Sequence, residues 1–193
     1  MKAMGWALAT LLAMAGPAGA EDGCFAYVPA AEARYGIPGG LLAAVVRTES
    51  GGNPLALNAD GTPYYPIGRD QAHALIQSLH VGGARNVDVG CGQISLRHHP
   101  SLPPDLALDA ARNVDYAAAY LASLYQSHGS WPVAVAHYHS SDPVRQAAYL
   151  QRIAHAAVHA AGDTAATPSP RRVTRVGTLY IEAQRIPGMI VRR

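Results

Sequence analysis

The chain has 193 residues, which suits one domain with appendages better than two full domains. Its formal net charge of +2 hides an asymmetry: residues 21–163 carry eight Arg against twelve Asp and Glu, a net of −4, whereas residues 164–193 carry six Arg against Glu182 alone, a net of +5. An acidic body excludes a nucleic-acid-binding domain on charge grounds, and the basic C-terminus is a separate segment.

The first 20 residues, "MKAMGWALATLLAMAGPAGA", place Lys2 before an apolar run from Gly5 to Ala15 and end on the small-x-small pattern Ala18-Gly19-Ala20. The run falls short of the roughly 20 residues a membrane span needs, so a secretory signal peptide cut before Glu21 is expected, with no stable span afterwards. An exported chain meets an oxidising compartment, and its two cysteines, Cys24 and Cys91, are expected to pair.

A first helix is predicted from about Pro29 to Tyr35, stopped by Gly36. A second follows Pro38, with Leu42, Val45, Val46 and Glu49 on one face at helical spacing and Gly51, Gly52 and Pro54 ending it. Glu49 therefore points toward the core or a cleft floor. "NADGTPYYP", residues 58–66, reads as an irregular loop or short hairpin. A third helix, capped by Asp70, ends at Gly82-Gly83, and "NVDVGCGQISLRHHP" reads as a glycine-bearing loop leading to a short helical turn. The strong helix that follows should bury Leu108, Tyr116, Tyr120, Leu121 and Leu124. "WPVAVAHYHS" is a short apolar helix, and an amphipathic helix opens at Pro143. Residues 163–193 read as a linker and an Arg-rich tail.

Three of these stretches occur in a telling order: "ESGGNP" closing a helix, then "DVGCGQIS", then "WPVAVAHYHS". Together they resemble the soluble-type lytic transglycosylases over about Cys24 to His159, and most closely the small secreted versions that accompany secretion, conjugation or flagellar machines. The resemblance implies an all-α, lysozyme-like fold, here a domain spanning residues 21–162 with an inserted hairpin and helix. It implies a periplasmic enzyme acting on the glycan strands of peptidoglycan, with no cofactor. It assigns Glu49 as the catalytic group and the serine that follows it in the family manner, Ser50, as a substrate-binding residue. Gln93 and Ile94 of the loop Gly90–Ile94 would line the sugar cleft, as would Tyr138, its hydroxyl near the catalytic carboxyl, and His139 where the family has asparagine. Related small enzymes pair an early cysteine with one near position 110, where this chain has Ala110-Ala111; a Cys24–Cys91 bridge would be an alternative. The tail would recruit a component of the machine or lie near anionic envelope polymers.

Glu49 also stands on chemical grounds. A glycosidic oxygen leaves only when protonated, and burial keeps a carboxyl protonated near neutral pH. A hydrolytic glycosidase needs a second carboxylate, for which Asp60, Asp70 and Asp88 are the nearby candidates. In the family one glutamate suffices: it protonates the leaving oxygen, the substrate's N-acetyl group stabilises the cation, and the carboxylate then takes the C6 hydroxyl proton as a 1,6-anhydro ring closes. The alternatives are a lysozyme-type hydrolase and a non-catalytic glycan-binding scaffold. Nine histidines include the pairs His98-His99, His137/His139 and His155/His159. With no HExxH and no third ligand at a convincing spacing, no metal is expected.

Overall fold

The computed structural model of the protein describes residues 23–164, with side chains to residue 157. The expected signal peptide and Arg-rich tail lie outside the described residues. A 3-10 turn, Cys24–Tyr27, leads into α1, Val28–Tyr35, and α2, Leu41–Ser50. Strands β1, Leu57–Ala59, and β2, Thr62–Tyr64, precede α3, Arg69–Val81; β3, Val87–Val89, and β4, Ile94–Ser95, follow it. The chain then continues as α4, Pro104–Ala107, α5, Ala110–His128, α6, Trp131–His139, and α7, Pro143–Thr164. The architecture is mostly helical, as the lysozyme-like reading requires, with a small sheet set into it.

Glu32 governs how α2 begins. From the buried side of α1 its carboxylate accepts the N–H groups of Gly40 at 3.0 Å, Leu42 at 2.9 Å and Ala43 at 3.3 Å. Three N–H groups that a helix start leaves unpaired are thus satisfied by one side chain. At the other end Gly51 takes the left-handed conformation, φ 63°, and returns its N–H to the Arg47 carbonyl. The helix thus ends on the Glu49-Ser50 pair.

The sheet is antiparallel throughout, in the order β2-β1-β3-β4. Leu57, Ala59, Val87 and Val89 turn into the core. By the two-residue period of a strand, Asn58 and its direct partner Asp88 turn the other way. The expected hairpin at residues 58–66 is there, with Asp60 at φ 49° in its turn. The glycine-bearing loop is more ordered than its composition suggests, because strands β3 and β4 flank it.

Two expectations need correction. Asp70 does not cap α3: Gly68 holds the cap position with no side-chain bond, and Gln71 instead accepts the Ile67 N–H at 2.8 Å. On α5 the buried stripe is Asn113, Val114, Ala117, Ala118, Leu121 and Ala122; Tyr116, Tyr120 and Leu124 are only partly buried. Small alanines let α6 pack closely on α5, while α7 packs across both α2 and α6. That last packing brings the C-terminal helix against the end of α2.

Candidate active site

A cleft of about 860 Å³ opens where the sheet, α5, α6 and the start of α7 meet the end of α2. Glu49 is at its floor, partly buried, one turn beyond Val45 and Val46, both fully buried. Burial is the largest influence on its carboxyl and pushes the pKa up to about 7. The Tyr149 hydroxyl and the Arg152 charge pull it back, and Asp88 pushes it further up. At neutral pH the group is therefore divided between acid and carboxylate, as a residue that must both give and take a proton requires.

Part of the lining is the polar face of the sheet, bearing Asn58 and Asp88, with Asn86 beside them. Asp88 is itself partly buried, and this desolvation raises its pKa, while the 2.6 Å bond from Asn86 Nδ2 and the His98 charge lower it. Of the three candidate second carboxylates, Asp88 alone lines the cleft. Asp60 accepts the backbone N–H groups of Arg85 at 2.9 Å and Asn86 at 3.1 Å, which hold its pKa down, and Asp70 lies in the first turn of α3.

The loop between β3 and β4 is a nest of constraints. Gly90, at φ 77°, leaves no room for a Cβ, which would lie 2.5 Å from Asn113 Nδ2 and 2.6 Å from the Ala107 carbonyl oxygen. Asn113, fully buried, accepts the Gly92 N–H at 2.8 Å and donates to the carbonyls of Val89 and Ala107 at 2.9 and 2.7 Å. A buried amide satisfied on both sides holds a loop more firmly than packing alone. Gln93 adopts φ 48°, a strained value for a residue with a side chain. Its Nε2 donates to the carbonyls of Ala56 at 2.9 Å and Gly90 at 3.0 Å, which keeps the amide in the cleft lining. Ile94, buried, lines the cleft beside it.

Ser50 is not in the cleft lining. Its hydroxyl donates to the carbonyls of Cys91 at 2.8 Å and Val46 at 3.2 Å and accepts the Gly52 N–H at 3.1 Å. It clamps the end of α2 to the loop. Cys91 is bonded to Cys24, with Cα atoms 5.6 Å apart, so a second tie runs from the same loop to the N-terminal turn.

Tyr138 lines the cleft, but its hydroxyl donates to the Gly92 carbonyl at 2.8 Å. It is near enough to Glu49 for that charge to raise its pKa, with burial the larger cause. The tyrosine whose hydroxyl addresses Glu49 is Tyr149 of α7, which is fully buried. His139 lines the cleft and stacks on the Tyr149 ring, centroids 4.4 Å apart and planes within 5°. Sequence reasoning missed both Tyr149 and Asn113. Tyr149 shares a helix face with Ile153 and Ala156, so spacing gives it the look of an ordinary core aromatic. Asn113 sits in a helix interior where nothing local marks it as a loop anchor.

Among the described residues no group of three or more His, Cys, Asp or Glu side chains is arranged to hold a metal ion. No helix among them is long and apolar enough to cross a membrane.

A family model described as Transglycosylase SLT domain matches residues 26–149, which include every residue of the cleft described above. No curated protein and no solved structure matches the chain. On the extent of that match and the helical fold beneath it, the chain belongs to the transglycosylase SLT family, the lytic transglycosylases that act on peptidoglycan.

Proposed function

We propose that Glu49 alone performs the proton chemistry of a lytic cut at the β-1,4 bond between N-acetylmuramic acid and N-acetylglucosamine. In its acid form Glu49 gives a proton to the glycosidic oxygen as the C1–O bond breaks. The substrate's N-acetyl group stabilises the cationic carbon. The Glu49 carboxylate then takes the proton from the C6 hydroxyl as that oxygen bonds to C1, leaving a 1,6-anhydro end and consuming no water. The observation that carries this reading is a carboxyl with a pKa of about 7 at the floor of an open cleft. Gln93, Ile94, Tyr138 and His139 would contact the sugars.

Peptidoglycan lies outside the cytoplasmic membrane, so the enzyme works in the periplasm or outside the cell. Residues 1–20 acting as a signal peptide would deliver it there. The six arginines of residues 164–193 favour a recruiting segment that directs local wall opening to a secretion, conjugation or flagellar assembly. Deleting that segment should leave cleavage of isolated sacculi intact.

A second reading is supported by Asp88, which lines the same cleft as Glu49 and acts on its charge. Such a pair would suit a water-consuming hydrolase. Product analysis separates the two. Residues 21–193 are incubated with purified peptidoglycan and the released sugars analysed by mass spectrometry, with Glu49→Gln alongside. Anhydro-muramyl ends that vanish in the variant support the lytic reading. Reducing ends point to Asp88. No product with binding retained would favour a glycan-binding scaffold.

A further inference from the structure

Arg145 stands apart from the other charges of the cleft. It lies in the first turn of α7 and lines the cleft beside Ser140 and Ser141, on the wall that also bears His137 and His139. Its guanidinium makes no ion pair or side-chain hydrogen bond among the described residues. The neighbouring carboxylate is occupied: Asp142 Oδ1 accepts the N–H groups of Val144 at 2.8 Å and Arg145 at 3.1 Å, closing the start of the helix. The two acids that line the cleft are elsewhere, Glu49 at the floor and Asp88 on the sheet wall. Among the described residues that line the cleft, Arg145 is the one arginine or lysine.

An exposed arginine is ordinarily just a solvated surface group. Position distinguishes this one. Its charge lowers the pKa of His139, after burial and the charge of Arg152. His139 is the ring stacked on Tyr149, whose hydroxyl addresses Glu49. The cationic corner is thus one aromatic stack away from the proposed acid.

The sugar rings of a glycan strand are neutral. The anionic groups nearest the cut bond hang from O3 of the muramyl residue: a lactyl carboxylate where the peptide has been removed, or the carboxylates of an attached peptide. We infer that Arg145 is a specificity residue that binds a carboxylate borne on the O3 substituent of the muramyl residue. The inference rests on the reading of Glu49 and of peptidoglycan strands as substrate. Guanidinium matches a carboxylate in a two-pronged geometry, and His137 and His139 line the same cleft.

Binding is measured by fluorescence anisotropy in residues 21–193 carrying Glu49→Gln, with and without Arg145→Ala or Arg145→Lys. Three end-labelled strands are compared: peptide-bearing, peptide-free with a lactyl carboxylate, and peptide-free with that carboxylate converted to a methylamide. Arg145→Ala should weaken binding of a charged strand about fivefold, the effect of one partly exposed ion pair, and the difference should shrink at high salt. Arg145→Lys should restore much of it, and the methylamide strand should show a clearly smaller change. Loss confined to the lactyl strand identifies that carboxylate as the ligand; loss confined to the peptide-bearing strand identifies the peptide. Equal loss on all three strands, no loss on any, or no binding to any overturns the inference. Failure of the Glu49 reading has a different signature, anhydro product still formed by Glu49→Gln, and leaves the binding comparison intact.

Discussion

Tyr149 turns its buried hydroxyl toward the carboxyl of Glu49, near enough to lower that group's pKa, without closing a well-formed hydrogen bond and with no other partner for the hydroxyl among the described residues. A buried hydroxyl without a full partner carries a desolvation cost, so something holds the ring where it is. The His139 stack, the Arg152 guanidinium 5.4 Å from the ring centroid and the packing of α7 on α2 do so. Each partner shifts the other: Glu49 raises the tyrosine's pKa, beyond the larger effect of burial, and the tyrosine favours the glutamate's charged form.

Tyr149→Phe keeps the ring and its stack and removes the hydroxyl. The Glu49 pKa should then rise above about 7, because a contact that favours the carboxylate is gone. If Glu49 must start as the acid, activity falls as pH rises through its pKa, and the variant's alkaline limb should move to higher pH. The kcat/KM profile measures this directly, since it reports the free enzyme. A limb that stays in place would mean the hydroxyl does not sense Glu49.

Glu49 should also weaken the fold at alkaline pH. Its folded pKa, about 7, lies above the ordinary value of 4.5, so between those values the folded state binds more protons than the unfolded one. Stability must therefore fall as pH rises from about 4.5 to about 7, by up to about 3 kcal/mol for a shift of this size. Glu49→Gln removes the charge and should be the more stable protein at pH 8, with little difference at pH 4. Urea denaturation of both proteins at the two pH values tests this. The same substitution should lower kcat by roughly a hundredfold or more, the scale of lost general-acid catalysis. Equal stability at pH 8 would mean the carboxyl is better solvated than its surroundings suggest.

How the sequence announces these features depends on whether they are local. Glu49 was legible because helical spacing put it on the face of Leu42, Val45 and Val46, and all three are buried. The Cys24–Cys91 bridge followed from count and compartment, and it is formed. Gly92, next to the bridged Cys91, carried no signal of its own in the sequence; in the structure the space it leaves admits a tyrosine hydroxyl. The partners of Glu49 were illegible for a physical reason. Tyr149 lies 100 positions along the chain, and only the crossing of α7 over α2 brings it near. Ser50 misled in the opposite sense: its neighbour in sequence faces the cleft, but its own hydroxyl is turned to the Cys91 carbonyl.

Gly92→Ala probes the loop that Tyr138 braces. A Cβ there would lie 2.6 Å from the Tyr138 hydroxyl and 2.7 Å from Ala117 Cβ. Ala117 is on the buried stripe of α5 and cannot retreat, so Tyr138 must move and give up its bond to the Gly92 carbonyl. The expected cost is about 1–3 kcal/mol, typical of overpacking. Gly39→Ala, where a Cβ meets nothing within 4 Å, is the control and should be nearly neutral. Thermal denaturation of both variants distinguishes a steric cost at Gly92 from a general intolerance of added methyl groups.

The Cys24–Cys91 bridge closes a sequence separation of 67 residues, and its removal by the double change to Ala should cost about 2–4 kcal/mol, chiefly through a less restricted unfolded chain. Its effect on activity should be smaller than its effect on stability. The Cys91 loop keeps four other anchors: Asn113 on Gly92, Ser50 on Cys91, Gln93 on Ala56 and Tyr138 on Gly92. Well below its unfolding temperature, the variant should therefore cleave peptidoglycan at a rate of the same order as the parent, while its urea midpoint falls. Unchanged stability would mean the unfolded chain is already compact about this loop. A folded but inactive variant would show that the hydrogen bonds alone cannot hold Gln93 in its strained conformation, and that the bridge shapes the cleft itself.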